Sequence, residues 1–264
     1  MNIGFDAKRA FLNQSGLGNY SRTLIYSLLE YYPETHLSLF TTSKKNDSFY
    51  NSVSKQKNVS IIEPKKFLDR KVNFKWRSYG IASLLSKNKI DVYHGLSNEL
   101  PFNISKFKGK KIVTIHDLIF LRYPKLYPLF DRTIYNKKFR RSCKNADVII
   151  ATSEQTKNDI LQFYSIHPQK VKVIYQSCNK AFYKDISPGQ LKNIRSKYKL
   201  PEKYLLYVGT IEERKNLLVI LKALTIVKNI PLVVIGKKKS YFKCHSGNIL
   251  EIYQNSQNNL YLLF

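Results

Sequence analysis

The chain has few cysteines, few acidic residues and no long hydrophobic run. Its 264 residues include three cysteines, and no two of them form a CxxC pair, so neither a disulfide scaffold nor a zinc site is expected. No apolar run reaches the roughly 18 residues of a membrane-spanning helix, and the N-terminus has no apolar segment of signal-peptide length. These absences predict a cytoplasmic protein, which could meet a membrane only at its surface.

The scarcity of acidic residues makes the chain strongly basic. It has 18 Asp and Glu against 45 Lys and Arg, a formal net charge of +27. Such a surface attracts nucleotides, nucleic acid or acidic lipid. A coding sequence rich in A and T would also favour lysine, so charge alone decides no function. The hydrophobic fraction of 43% excludes a collagen-like or wholly disordered chain.

Short apolar segments alternate with segments of helical period, which predicts parallel sheets covered by helices on both faces. The first part has strand candidates at 3–5, 37–41, 59–62, 90–94, 111–115 and 147–151. The pattern starts again with candidates at 171–175, 204–208, 232–235 and 260–264. We therefore predict an α/β protein with a doubly wound domain over 1–170 and a second, incomplete domain over 171–264.

Two glycines follow the first predicted strand and open the first predicted helix. In the sequence Gly16-Leu17-Gly18-Asn19, they would let backbone N–H groups approach an anionic ligand at a helix N-terminus. The spacing differs from the dinucleotide-binding pattern GxGxxG, and a simple turn explains the glycines equally well.

Two side chains at predicted strand ends are candidates for catalysis. His116 ends the strand at 111–115, and the carboxyl ends of parallel strands line the ligand crevice of open α/β sheets. It could bond a substrate or polarise a reacting group, or it could be a structural histidine paired with Asp117. Glu99 lies in the polar loop after His94, which we expect beside His116, and it is the carboxylate best placed for acid–base chemistry.

A third candidate stretch follows the strand at 204–208. Arg214 and Lys215 are predicted to start a helix, where a guanidinium, an ammonium and backbone N–H groups together suit a diphosphate. An ordinary basic helix start is the alternative. Cations at this end of a helix oppose its dipole, and such a local conflict is typical of a functional site.

The ordered set of motifs resembles the GT-B glycosyltransferases of family 4, which include bacterial mannosyltransferases of surface-polysaccharide synthesis. The resemblance rests on GLGNYSRTLI (16–25), TIHDLIFLRYP (114–124), ADVIIATSE (146–154) and VGTIEERKN (208–216). The HGLSNELP run (94–101) is similar to the members that assemble O-antigen or capsule. The family implies two Rossmann-like domains facing a cleft, the first for the acceptor and the second for a nucleotide-sugar donor.

The resemblance also implies an activity and its residues. It implies retaining transfer of a hexose, with mannose from GDP-mannose as the expected donor, to a glycan or lipid-linked glycan, with no metal and no other cofactor. Gly16 and Gly18 would approach the donor diphosphate, and Arg214 and Lys215 would neutralise it as it leaves. His116 would contact the donor sugar near the reacting carbon.

One element of the family is missing from the sequence. The E-x7-E element that holds the donor's ribose and sugar does not occur before Phe264. The chain is therefore predicted to contain the first domain and about half of the donor domain. A catalytically inactive remnant is the alternative, and nucleic acid is not an expected partner because no RNA- or DNA-binding signature occurs.

Basic clusters with nearby aromatics suggest contact with the inner face of an anionic membrane, although solvated helix faces would look the same. The basic residues are Lys65, Lys66, Arg70, Lys71, Lys75, Arg77, Lys137, Lys138, Arg140 and Arg141, and the aromatics are Phe67, Phe74, Trp76 and Phe139.

Overall fold

The chain folds into two compact units, Met1–Tyr183 and Lys184–Phe264. The computed structural model describes residues 1–42, 48–64, 75–227, 229–236 and 260–263. The division falls later than the predicted boundary at 170, because the strand Val171–Val173 pairs with Val148–Ala151 in the first sheet.

The first unit contains a seven-stranded parallel sheet with the strand order β3-β2-β1-β4-β5-β6-β7. Its strands are β1 (Asn2–Asp6), β2 (His36–Phe40), β3 (Val59–Ile62), β4 (Val92–Gly95), β5 (Lys110–Ile115), β6 (Val148–Ala151) and β7 (Val171–Val173). The strands match the predicted segments to within one or two residues at each end. The largest differences are two residues, at the start of β4 and at the end of β7.

Helices connect the strands, as the parallel topology requires. They are α1 (Lys8–Leu12), α2 (Gly16–Tyr31), α3 (Ser48–Val53), α4 (Ile81–Lys87), α5 (Ile119–Arg122), α6 (Leu129–Asn145) and α7 (Glu154–Tyr164). A π-helical turn, Trp76–Gly80, leads into α4. The predicted start of α7 is confirmed: Ser153 caps it by accepting a bond from the N–H of Thr156 at 3.1 Å.

The core of the first unit consists of two apolar clusters. One includes Phe5, Leu37 and Leu39 with Ile25 of α2, and the other includes Tyr93 and its neighbours on the later strands. Strands β1 and β2 are buried along almost their whole length, as expected for central strands of a sheet covered on both faces.

The second unit contains a smaller parallel sheet with the order β10-β9-β8. Its elements are α8 (Pro188–Tyr198), β8 (Leu205–Val208), α9 (Leu217–Ile226), β9 (Leu232–Ile235) and β10 (Leu260–Leu263). Helix α8 begins with a capping box between Ser187 and Gln190. Leu217, Leu221 and Leu224 of α9 pack against β9 in a small core.

Candidate functional site

The sheet of the first unit reverses its direction of winding between β1 and β4. The chain moves from β1 outward to β2 and β3, then returns to β4 on the other side of β1, where Phe5 is in register with His94. Ligands of open α/β sheets bind at the carboxyl ends of the strands at such a switch point. The segments after β1, β4 and β5 are therefore the candidate site.

His116 lies at this edge and is held as a neutral imidazole. Its Nε2 donates to the carbonyl oxygen of Leu96 at 2.9 Å, and its Nδ1 accepts from the side-chain amide of Gln176 at 3.0 Å. Its backbone N–H donates to Oδ1 of Asn98 at 2.7 Å. The loop after β4 thus lies beside His116, as the sequence predicts, but the partners of the ring are Leu96 and Gln176 rather than Asp117.

A chain of hydrogen bonds lies under His116. The hydroxyl of Thr114 is 2.8 Å from both the Tyr20 hydroxyl and Nε2 of His94, and the Tyr20 ring meets His116 edge-on at 4.8 Å between centroids. Burial lowers the pKa of His94 to about 3, with the nearby His116 adding to the effect. Burial also lowers the pKa of His116. Both rings therefore stay uncharged at neutral pH.

These two histidines make stability depend on pH. Their pKa values are below the ordinary 6.5, so the unfolded chain binds more protons below that pH and stability is lost as the pH falls. We expect the free energy of unfolding to drop between pH 6.5 and 4 by about 1.4 kcal/mol per pH unit because of His94, and the lowered pKa of His116 adds to this dependence. Urea unfolding over this range measures it.

The matched control is His94→Gln, which keeps a polar partner for Thr114 but cannot titrate. Its unfolding free energy should depend less steeply on pH than that of the native chain. Equal slopes for the two proteins would show that His94 does not resist protonation in the fold.

A charged cluster, the Arg77 cluster, lies after β1 and β4 and consists of Asp6, Arg77, Ser97, Glu99 and Lys138. Arg77 bonds Asp6 at 2.6 Å, Glu99 at 3.3 Å and the Ser97 hydroxyl at 3.4 Å. Lys138 of α6 is 3.3 Å from both Glu99 oxygens. Burial opposes the charge of Arg77, but Asp6 and Glu99 outweigh it and raise its pKa.

The contacts of Glu99 in this cluster concern its predicted role in acid–base chemistry. Both of its carboxylate oxygens accept bonds from cations, whereas His116 bonds Leu96, Asn98 and Gln176. Two cations thus hold this carboxylate in place. The catalytic function of Glu99 stays a prediction, and its observed contact is structural.

The two candidate glycines differ in their surroundings. A Cβ at Gly16, the first residue of α2, would meet nothing within 4 Å, but one at Gly18 would lie 1.8 Å from the carbonyl oxygen of Asn13. Gly18 therefore permits the close approach of α2 to the segment after α1, while only Gly16 has open space beside it. The backbone N–H of Gly18 donates to the carbonyl oxygen of Ser15 at 3.0 Å, so an anion at this helix start could accept only from the amides that precede it.

Two residues of this edge were missed in the sequence. Asn98 adopts a left-handed conformation, φ 65°, and receives the backbone N–H of His116 while its own N–H bonds Thr114. An asparagine in a polar loop is a known signal for this conformation. Arg77 was predicted to belong to a basic surface. Its sequence neighbours give no signal of its ion pairs, because Asp6 and Glu99 are far from it in the chain.

In the second unit, Arg214 and Lys215 lie just before a helix rather than in it. They belong to a single 3-10 turn, Glu213–Lys215, and α9 begins at Leu217. Arg214 forms an ion pair with Glu212 at 2.5 Å, and Lys215 is exposed. The helix thus starts three residues after Arg214 rather than at it, because Asn216 takes a left-handed conformation, φ 50°, between the turn and the helix.

The predicted membrane clusters need correction as well. Trp76 and Phe139 are buried in the core and Arg77 is ion-paired, so none of the three can meet a membrane. Lys75, Lys137, Arg140 and Arg141 are exposed. Lys65, Lys66, Phe67, Arg70, Lys71 and Phe74 lie outside the described residues. Membrane contact stays a prediction.

The described ranges contain neither a cluster of metal ligands nor a membrane-spanning helix. No three His, Cys, Asp or Glu side chains there converge as metal ligands. None of the helices within the same ranges combines the length and apolar character needed to cross a bilayer.

Parallel sheets wound in both directions from a switch point define an open α/β fold, and comparison with known proteins makes this specific. The model of the family described as Glycosyltransferase Family 4 matches residues 21–180. The chain therefore belongs to glycosyltransferase family 4, and its fold is of the GT-B class.

Relatives and solved structures agree with this assignment. The chain is 28% identical over 134 residues to O-antigen chain mannosyltransferase B of Escherichia coli, a match that covers 50% of this chain and 34% of the relative. A crystal structure of Anabaena Alr3699/HepE in complex with UDP and glucose has a TM-score of 0.65 at 15% identity, covering 100% of this chain and 69% of that one. WaaG, a glycosyltransferase involved in lipopolysaccharide biosynthesis, has a TM-score of 0.65 at 14% identity, covering 99% and 70%. The chain thus matches about a third of the length of the curated relative.

Proposed function

We propose that the chain is a glycosyltransferase that moves a hexose, mannose from GDP-mannose, to a growing lipid-linked surface polysaccharide with retention of configuration. The observation that carries the proposal is the position of His116, neutral and fixed, at the switch point of a family 4 sheet. The choice of mannose follows from a relative that is named as an O-antigen mannosyltransferase.

In this proposal His116 contacts the donor sugar. Its Nε2 proton is held by Leu96, which fixes the plane of the ring, and its Nδ1 faces the exposed side chain of Gln176. A sugar hydroxyl can replace Gln176 as the donor to Nδ1 without changing the tautomer. The histidine therefore orients the sugar and stabilises the positive character that develops on it.

The donor diphosphate is the leaving group, and it gains charge as the glycosyl bond breaks. In this proposal Arg214 and Lys215 neutralise this charge, and the amide of Gly16 donates to a phosphate oxygen. Gly18, whose own amide donates to Ser15, would approach the diphosphate only through its lack of a side chain. Arg214 already forms an ion pair with the Glu212 carboxylate at 2.5 Å. A phosphate group offers the guanidinium the same kind of oxygen acceptor, so in this proposal it replaces that carboxylate.

The acceptor is a glycan or a lipid-linked glycan. Exposed cations of α6, Lys137, Arg140 and Arg141, support an approach to the anionic inner face of the cytoplasmic membrane. An inactive remnant of such an enzyme is the alternative function, and donor binding separates the two.

Calorimetric titration with GDP-mannose, UDP-glucose and other nucleotide sugars tests the proposal. Arg214→Ala is expected to weaken donor binding about 10- to 100-fold, since it removes charge-assisted hydrogen bonds of about 1.5–3 kcal/mol. Lys222→Ala, which removes an exposed cation from α9, is the control and should leave the affinity unchanged.

Two results would contradict the proposal. Absence of heat with every nucleotide sugar would favour the remnant. Equal losses for Arg214→Ala and Lys222→Ala would show that only the overall charge attracts the donor.

A further inference from the structure

A groove of about 650 Å³ lies on the first unit, between the π-helical turn, the segment after β4 and helix α6. Its volume is within the range of about 300–1,000 Å³ typical of small-molecule sites. Nothing in the proposed donor chemistry uses it. It borders the Arg77 cluster, since Lys138 both lines the groove and bonds Glu99.

Two stacked aromatic rings, held in place by hydrogen bonds, form one wall of the groove. Tyr79 and Phe102 stack with centroids 5.5 Å apart and planes inclined by 23°. The backbone N–H of Phe102 donates to Ser78 at 2.7 Å, and the Asn103 amide donates to the carbonyl of Tyr79 at 2.9 Å. Tyr79 is 53% exposed, so a ring face remains available to a flat apolar surface such as one side of a sugar.

Asn103 lines the groove, and its side-chain amide has a second N–H besides the one that donates to the Tyr79 carbonyl. Its Oδ1 is buried and accepts no hydrogen bond from the described residues. A sugar hydroxyl can accept from the second N–H of the amide, which favours a ligand that carries hydroxyl groups.

The remaining wall is cationic. Lys106, Lys137 and Arg141 line the groove, and no acidic side chain is among the described residues that do so. Arg141 is fixed by two bonds to the carbonyl oxygen of Phe102, at 2.6 and 3.0 Å, and its guanidinium lies 5.8 Å from the Phe102 ring centroid. A fixed guanidinium with two exposed lysines beside it suits a phosphate group.

We propose that this groove binds a phosphorylated sugar, with the sugar against Tyr79, a hydroxyl on Asn103 and the phosphate among Arg141, Lys137 and Lys106. The proposal rests on the proposed function in one respect, that the ligand is the phosphate-bearing end of the acceptor. Lys138 connects the groove to the Arg77 cluster, so the acceptor would lie beside the switch point where the donor sugar is transferred.

Titration of the full chain with mannose 1-phosphate, mannose and inorganic phosphate, followed by NMR or calorimetry, tests this site. Mannose 1-phosphate should bind at least about tenfold more tightly than either part alone. Arg141→Gln and Tyr79→Ser should each weaken it about tenfold. Lys144→Gln is the control, since Lys144 is an exposed cation of the same helix as Arg141 that does not line the groove, and it should have no effect.

A second arm distinguishes the source of the phosphate. Phosphatidylcholine vesicles that carry a polyprenyl-phosphate mannose should bind the native chain and release Arg141→Gln if the natural ligand is a glycolipid. Binding of mannose 1-phosphate without binding of these vesicles would assign the groove to a soluble sugar phosphate. Either result supports the site.

Three results would overturn it: inorganic phosphate that binds as tightly as mannose 1-phosphate, oligonucleotides that compete for the groove, or phosphatidylglycerol vesicles whose binding depends on Tyr79 and Arg141 in the same way. The donor titration is independent. Arg214→Ala should leave mannose 1-phosphate binding intact, and failure of the groove would leave donor binding unchanged.

Discussion

Replacing Gly18 by alanine is expected to destabilise the first unit by about 3 kcal/mol or more, because overpacking against rigid backbone forces the helix to move. The new Cβ would lie 1.8 Å from the carbonyl oxygen of Asn13, and α2 would have to shift away. Urea unfolding followed by tryptophan fluorescence measures the change. The single tryptophan, Trp76, is buried in the first unit, so its signal reports that unit.

Gly16→Ala is the matched control, since a Cβ there has no neighbour within 4 Å and the position is helical. Its stability should equal or slightly exceed that of the native chain. If Gly16 also approaches the donor diphosphate, the same variant should bind nucleotide sugars more weakly while it unfolds normally. Equal stability of the Gly16 and Gly18 variants would show that the close approach of α2 is not needed.

Arg77→Met is expected to cost about 3–5 kcal/mol of unfolding free energy, because it leaves a buried carboxylate without its cation. The Asp6 side chain is 5% exposed and Glu99 is 22% exposed, so water cannot replace the guanidinium at Asp6. Urea unfolding of Arg77→Met, Asp6→Asn and the double variant measures the coupling between the two residues.

The double variant should lose clearly less stability than the sum of the single ones. Lys180→Met is the control, since its ion pair with Glu30 is well exposed and its loss should change stability little. Strictly additive losses for Asp6 and Arg77 would mean that their contact does not stabilise the fold.

Predictions from the sequence succeeded where the signal is local. The β-branched run Val148–Ala151 and the serine before α7 each specify their own structure, and both were found within a residue of the structure. The boundary at 170 was placed too early because a short strand such as Val171–Val173 has the same pattern in either sheet. Only its pairing with β6 assigns it to the first unit.

The contacts of the candidate site were also predicted only where the sequence signal is local. His116 and the loop after β4 could be placed together because both follow adjacent strands, and the structure brings them together through Asn98 and Leu96. The partners of Glu99 could not be found in the sequence. Lys138 is 39 residues away and Arg77 is 22 residues away, and each belongs to a segment that reads as a polar surface.

The sequence alone determined the class of fold and the family, because hydrophobic periodicity and ordered motifs are properties of neighbouring residues. The tertiary structure decided which groups are charged, paired or open to a ligand. It fixed the neutral tautomer of His116, paired Arg77 with Asp6, left space beside Gly16 but not Gly18, and joined Tyr79, Asn103 and Arg141 in one groove. The physical reason is that burial and hydrogen bonding depend on contacts between residues far apart in the chain, which no local pattern specifies.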